Sequence, residues 1–291
     1  MSETMSQAIC AVLADQMEQN ENVVLLGDAV GVAGGAGGTT SGLLTTFGKH
    51  RVRDMPISDR GTMGVAVGLT LAGMVPVVEL ESVGKLLDVA PALHEVGRLQ
   101  KRSGICMIVR IPFGTQAGPV VDNPALSAIL GVPGIRISMV SSVSSARAQL
   151  TKAFLGGLTV LLEPRELYDS TQTETPNSTA TLVMEGTDVT LAAWGSGVAT
   201  ACAAANGLAE AGIRADVIDM ATVVPLDGAL LASRVTQTGR LVVVSPDDRH
   251  TSNTALLAAL DGAFLYLESP FTVVSADVQE IHAAAMAAVT Y

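Results

Sequence analysis

The alternation of short apolar, β-branched runs with amphipathic stretches limits the possible folds of this chain more than any other feature. In the first half the runs predict strands at residues 23–27, 75–81, 105–110, 135–140 and 159–163. Two stretches between the runs have apolar faces at helical spacing: Met5, Ile9, Val12, Leu13 and Met17 in one, and Leu86, Leu87, Ala90, Leu93 and Val96 in the other. This order of elements predicts an α/β protein with parallel strands covered by helices.

A polar, threonine-rich segment interrupts the pattern after Tyr168, and we interpret residues 169–181 as a linker. Beyond it the pattern restarts, with strands predicted at 188–194, 215–220, 240–245 and 271–275, a helix over 198–211 and a last helix after 275. The sequence therefore predicts two doubly wound domains, at residues 1–168 and 182–291.

Length and charge exclude several classes of function. The 291 residues suffice for two cores, and a net charge of −11 argues against nucleic acid or an anionic membrane surface as a partner. There is no basic segment followed by an apolar run and no long uncharged apolar stretch, so we expect neither a signal peptide nor a membrane span, and a cytoplasmic location. Cys10, Cys106 and Cys202 are widely spaced among apolar residues, which favours free core cysteines over disulfides or a metal site.

The segment 54–73 combines an acidic motif with a helix of small residues. Asp54-Met55-Pro56-Ile57-Ser58-Asp59-Arg60-Gly61 leads into a stretch in which small residues recur every three or four positions, at Gly61, Gly64, Gly68, Ala72 and Gly73. Such a stripe lets another helix approach closely and predicts a tight interface. Ser58 or Asp59 also suits the N-cap of this helix, because free backbone amides and the helix dipole favour an oxygen or a negative charge there.

This segment resembles the helix that opens the active site in the β subunit of thiamine-diphosphate-dependent 2-oxoacid dehydrogenases, a family that shares its fold with the C-terminal half of transketolase. Segments 25–31, 76–79, 186–195, 215–227 and 238–244 are also similar to that family in order and spacing. The resemblance covers nearly the whole chain. It implies a transketolase-like pyrimidine-binding domain followed by a smaller transketolase C-terminal-like domain.

The resemblance also implies the site residues. The family's motif reads Pro-Ile-Ser-Glu, with the glutamate on the cofactor's aminopyrimidine, and Asp59 stands at that glutamate. Its side chain is about 1.5 Å shorter. Asp28 stands where the family has a glutamate, and Lys85 where it has a phenylalanine that stacks on the pyrimidine. Asp59 is therefore the implied catalytic residue, and Asp28, Asp59 and Lys85 the implied cofactor-binding residues. The residues alone also allow two simpler interpretations, in which Asp59 is a helix cap and Lys85 is a solvated lysine.

The resemblance further implies a partner chain. Thiamine enzymes hold Mg²⁺ and diphosphate with a Gly-Asp-Gly motif followed by paired asparagines, and this sequence has neither. We therefore predict no metal ligand here, and an α-type subunit, in an α2β2 heterotetramer, that anchors most of the thiamine diphosphate and its Mg²⁺. The helix at 61–73 is the expected meeting place. The glycine-rich run 31–38 lacks the spacing of a phosphate-binding loop and is interpreted as a mobile loop near the site.

The leading functional prediction is a β-type component that cleaves a 2-oxo acid or ketose beside the carbonyl and passes the acyl or ketol unit to a lipoyl group, a carrier-protein thiol or an aldose. Two alternatives stay open: a transketolase acting on sugar phosphates, and a non-catalytic partner subunit. Departures from the family motivate the second. Loop 113–123 lacks the histidine of related decarboxylases, and residues 246–251 replace a glutamate and a glycine-rich turn.

Overall fold

The computed structural model describes residues 2–99, 104–114, 125–172, 177–245, 260 and 262–291. The chain divides into two compact units, residues 1–176 and 177–291, so the division falls inside the predicted linker 169–181. The carbonyls of Ser170 and Gln172 accept hydrogen bonds from the amides of Met5 and Val143, which ties the beginning of that segment to the first unit.

The described elements alternate as the sequence predicts. The first unit contains helices α1 (Met5–Gln19), α2 (Leu43–Phe47), α3 (Asp59–Leu71), α4 (Leu86–Leu99) and α5 (Val143–Ala153), and strands β1 (Val23–Gly27), β2 (Val52–Asp54), β3 (Val75–Glu79), β4 (Cys106–Phe113), β5 (Arg136–Met139) and β6 (Gly157–Pro164). The second unit contains strands β7 (Thr181–Met184), β8 (Val189–Ala193), β9 (Ala215–Asp219), β10 (Thr222–Val224), β11 (Leu241–Ser245) and β12 (Thr272–Ser275), and helices α6 (Gly197–Glu210), α7 (Gly228–Thr238) and α8 (Val278–Val289).

The six strands of the first unit form a parallel sheet in the order β5-β6-β4-β3-β1-β2. Helices α1 and α5 pack together on one face, in a core cluster that includes Val77 of β3. The next residue, Val78, is equally buried but points to the opposite face by strand alternation, where α3 and α4 pack. Both faces are covered, which confirms the predicted doubly wound arrangement.

Helical periodicity predicted one buried face correctly and the other in part. All five residues predicted for α1 are buried, and Thr4 begins the helix in a capping box with Gln7. In α4, Leu87 was wrongly placed on the apolar face, because its side chain is 54% exposed. Val89 is buried instead of Leu87, and the predicted Ala90 is half-buried. Apart from Gly97, the buried residues of α4 follow three- and four-residue spacing: Leu86, Val89, Leu93 and Val96.

The second unit is a smaller sheet in the order β12-β11-β8-β9-β7, parallel except for the antiparallel edge strand β7. Helices α6 and α8 pack against each other and against one face through small and branched side chains, among them Ala201, Leu208 and Ile281. Leu231 and Val235 of α7 are buried outside that cluster, and α7 packs on β8. This unit is therefore doubly wound as well.

Two sequence-based expectations concern cysteines and membranes. The three cysteines are free thiols as predicted; Cys106 is buried, whereas Cys10 and Cys202 are half-buried. Burial raises the pKa of the Cys106 thiol to about 11. In the part of the chain that the structure describes, no helix combines the length and apolar character needed to cross a bilayer.

Candidate functional site

The candidate site lies at the carboxyl edge of the first sheet, where the chain order reverses. Strand β1 has β2 on one side and β3 on the other, so the segments after β1 and β3 leave the sheet in different directions, and α/β sheets bind ligands at such a position. Asp28 directly follows β1, and Asp54 and Glu79 end β2 and β3. Helix α3 starts with Asp59, five residues beyond β2. Acidic residues from separate parts of the chain thus meet at one edge.

Asp59 and Lys85 form an ion pair at this edge. Nζ of Lys85 lies 3.0 Å from Oδ2 of Asp59, and the two side chains are 32% and 14% exposed. The helix cap is a different residue, because Oγ of Ser58 accepts a hydrogen bond from the Gly61 amide at 3.2 Å. The sequence allowed either Ser58 or Asp59 as the cap, and the structure shows that it is Ser58. The Asp59 carboxylate is directed to Lys85 instead.

Asp28 and Glu81 complete the charge cluster, which we call the acidic edge: Asp28, Asp59, Glu81 and Lys85. Desolvation, followed by repulsion from Asp59 and Glu81, raises the pKa of Asp28, and the Lys85 ammonium opposes this. The three residues singled out from the sequence thus lie near one another. Glu81 was missed, although its position two residues beyond the end of β3 was a usable signal.

The glycine-rich run 31–38 makes hydrogen bonds to two acidic side chains at the edge of the sheet. Both oxygens of the Asp54 carboxylate accept backbone amides, from Gly31 at 2.6 Å and Val32 at 3.0 Å. The Glu79 carboxylate accepts the Ala36 amide at 2.9 Å. A side chain on Gly35, which has φ 72°, would meet Thr40 Oγ1 at 2.6 Å and Glu79. Three hydrogen bonds and the close approach at Gly35 therefore hold this loop against Asp54 and Glu79, and its mobility stays a prediction.

A buried ionic network anchors that loop to the centre of the sheet. The fully buried Arg110 guanidinium donates to Glu163 at 2.7 and 2.8 Å and to Glu79 at 3.1 Å. The Tyr168 hydroxyl donates to Glu163 at 2.9 Å. Burial, then the Glu163 charge, raises the pKa of Tyr168, which keeps its proton on the hydroxyl. One guanidinium thus neutralises two carboxylates, and Glu79 connects it to the loop through Ala36. No sequence motif revealed this network.

The small-residue stripe of α3 faces outward from this unit's own residues. A Cβ added at Gly64 or Gly68 would have no atom within 4 Å. Val65 and Leu71 on the same helix are 40% and 56% exposed. The stripe predicted from sequence is therefore not used to pack α3 inside the first unit.

Some predicted features fall outside the described residues. Positions 115–123 of the loop that lacks a histidine, and the divergent segment 246–251, are among them. Among the described residues, no three His, Cys, Asp or Glu side chains are arranged to hold a metal ion.

The chain is similar to known proteins over nearly its whole length. Residues 2–171 match the family "Transketolase, pyrimidine binding domain" and residues 178–289 match "Transketolase, C-terminal domain". The pyruvate dehydrogenase E1 component subunit beta of Bacillus subtilis is 33% identical over 290 residues, covering 94% of this chain and 89% of that protein. The subunit of the same name from Staphylococcus aureus is 32% identical with the same coverage.

Two solved structures share the fold. A split-gene transketolase, described as an inactive beta4 tetramer, superposes with a TM-score of 0.78 at 22% identity, covering 100% of this chain and 99% of that one. A transketolase from Campylobacter jejuni superposes with a TM-score of 0.76 at 12% identity. This chain covers 47% of the length of the latter.

Proposed function

We propose a function for this chain from the family to which it belongs. The chain is a member of the pyruvate dehydrogenase E1 beta-type subunits of thiamine-diphosphate enzymes, and it contains the transketolase pyrimidine-binding and C-terminal domains. We infer that it is the β-type component of a heteromeric enzyme that cleaves a 2-oxo acid or a ketose next to the carbonyl. The two-carbon acyl or ketol unit then passes to an acceptor. The observation that carries this proposal is the Asp59–Lys85 pair beside Asp28 at the carboxyl edge of the sheet.

The donor set of the acidic edge suits the aminopyrimidine end of thiamine diphosphate. A ring nitrogen requires a hydrogen-bond donor and an amino group requires an acceptor; Lys85 offers the first, and Asp28 and Asp59 the second. When bound, the cofactor supplies the nucleophilic carbon and the electron sink for cleavage beside a carbonyl. We propose that Asp59 takes the position of the family's acid, with Asp28 and Lys85 next to it, and that these side chains orient the pyrimidine ring.

The diphosphate and Mg²⁺ are proposed to be anchored by an α-type partner in an α2β2 heterotetramer. The absence of the Gly-Asp-Gly motif from the sequence supports this, as does the name "subunit beta" of the relatives. The exposed stripe of α3, with Gly64 and Gly68 open and Leu71 exposed, is the proposed contact surface. Small residues let two helix backbones approach closely, and Val65 adds apolar area to bury.

The acceptor is proposed to be a lipoyl group or a carrier-protein thiol, with an aldose as the transketolase alternative. A phosphate-bearing substrate is disfavoured at the acidic edge itself, because three carboxylates outnumber its one ammonium. The non-catalytic alternative, a structural or regulatory subunit, stays a candidate because Asp59 is shorter than the family's acid. A cytoplasmic location also stays a prediction.

Calorimetric titration with thiamine diphosphate and Mg²⁺ tests the proposal. We expect weak or no binding to the isolated chain and Mg²⁺-dependent binding to its complex with an α-type partner, here called the reconstituted complex. Tight binding to the isolated chain would contradict the partner argument. A reconstituted complex that binds no cofactor would identify the chain as a non-catalytic subunit.

A further inference from the structure

The acidic edge contains one hydrogen-bond donor group and three acceptor groups. Asp28, Asp59 and Glu81 are carboxylates, which accept hydrogen bonds when ionised and cannot donate them. The Lys85 ammonium has three N–H bonds, and one is directed to Asp59 at 3.0 Å. A ligand atom that requires a donor is therefore served at this edge by Lys85.

Asp59 is better placed to hold an ammonium than to donate a proton. It is the first residue of α3, where the free amides and the helix dipole stabilise a negative charge. Its carboxylate is the more buried partner, with 14% exposure against 32% for Lys85, so the ammonium is the end of the pair that solvent and ligands reach more easily. The flexible four-carbon stem of Lys85 also offers the reach that the shorter Asp59 lacks.

We propose that Lys85, held in position by Asp59, donates the hydrogen bond to the ring nitrogen of the cofactor's aminopyrimidine. This inference rests on the proposed function. In this site a lysine–aspartate pair replaces a single longer acid: Lys85 is the catalytic residue that contacts the cofactor, and Asp59 is the positioning residue that fixes the ammonium. The hydrogen that Lys85 would donate stays bonded to Nζ.

The charges that surround Lys85 favour the ammonium form. Its hydrogen bond to Asp59 and the charge of Asp59 raise the pKa of Lys85, partial burial opposes this, and Glu81 and Asp88 raise it further. Asp88, on α4, is itself 3.1 Å from Arg60. Asp28 faces the same group from the end of β1. The ammonium form, which is the donor, is thus favoured at neutral pH.

A binding cycle between protein and cofactor tests the donor directly. The reconstituted complex is titrated with thiamine diphosphate and with an analogue in which C–H replaces the pyrimidine ring nitrogen. In the wild type we expect the analogue to bind at least about tenfold more weakly, because a hydrogen bond from a charged donor is lost. In Lys85→Met the ratio of the dissociation constant of the analogue to that of thiamine diphosphate is expected to fall to about one. Lys85→Arg keeps its donors and is expected to retain part of the ratio.

The alternatives give different patterns. If Asp59 were the donor, Lys85→Met would keep the full ratio, and that result would overturn the inference. A ratio lost equally in Lys85→Arg also counts against a donor role. Failure of the wild-type complex to bind thiamine diphosphate would overturn the proposed function itself, and this inference with it. Unfolding temperatures of the variants, expected to lie close to that of the wild type because Lys85 is outside the hydrophobic cores, show that binding and not folding has changed.

Discussion

Replacing Arg110 with methionine tests whether the buried network of the first unit is held by charge. The change removes three charge-assisted hydrogen bonds and leaves Glu163 and Glu79, whose side chains are 0% and 9% exposed, without a cation. Breaking a buried pair by removing one partner costs about 3–5 kcal/mol, because the remaining charge is desolvated and unpaired. Methionine fills much of the same space, so little of this cost comes from a cavity.

This free energy predicts a large thermal shift. For a unit of 176 residues, each kcal/mol lowers the unfolding temperature by about 2–4 °C, so we expect a fall of about 6–20 °C. Scanning calorimetry measures it. Arg234→Met breaks the pair with Asp216, at 2.6 Å, in the second unit and identifies the transition of that unit.

Arg60→Met is the matched control for Arg110→Met. It breaks the exposed pair with Asp88, in which the side chains are 77% and 49% exposed, and we expect a change of at most about 1 kcal/mol. Adding Glu163→Gln to Arg110→Met is expected to recover part of the loss, because it removes one of the unpaired charges. An Arg110→Met variant no less stable than Arg60→Met would refute the reasoning.

Three further predictions concern the site and the α3 surface. In the reconstituted complex, Asp59→Ala should greatly slow exchange of the cofactor's C2 proton, measured by NMR, and leave unfolding nearly unchanged. Ser58→Ala removes the helix cap, so it should cost about 1 kcal/mol of stability and leave the exchange rate unchanged. An unchanged exchange rate in Asp59→Ala would exclude a catalytic role for Asp59. Gly64→Ala should stabilise the isolated chain by about 0.5–1 kcal/mol but weaken its assembly with the α-type partner, measured by sedimentation. If assembly is normal, the interface lies elsewhere. The pKa of Asp28 is raised above 3.8 in the folded protein, so the folded state loses stability as pH rises from 3.8 through the raised pKa. In urea unfolding, Asp28→Asn should therefore be more stable than the wild type at pH 7 but not below about pH 3.5. The exposed control Asp15→Asn should not show this difference.

The sequence determined the local structure and the family. Strand β1 occupies the predicted residues 23–27, and α1 buries the whole predicted face, because strand and helix periodicities depend on neighbours within a few positions. The motif that ends at Asp59 predicted the candidate site, and the residues that depart from the family, Asp28, Asp59 and Lys85, were candidates from the sequence alone.

Only the tertiary structure decided which of the candidates lie together. Lys85 meets Asp59 across two different elements, and Arg110 reaches Glu163, 53 residues along the chain, because β4 and β6 are neighbours in the sheet. The sequence does not encode such pairs as a spacing, since strand order in the sheet differs from strand order in the chain. Which acid receives a partner, and which stays exposed to a ligand, is therefore fixed by the sheet topology and by the burial that it imposes.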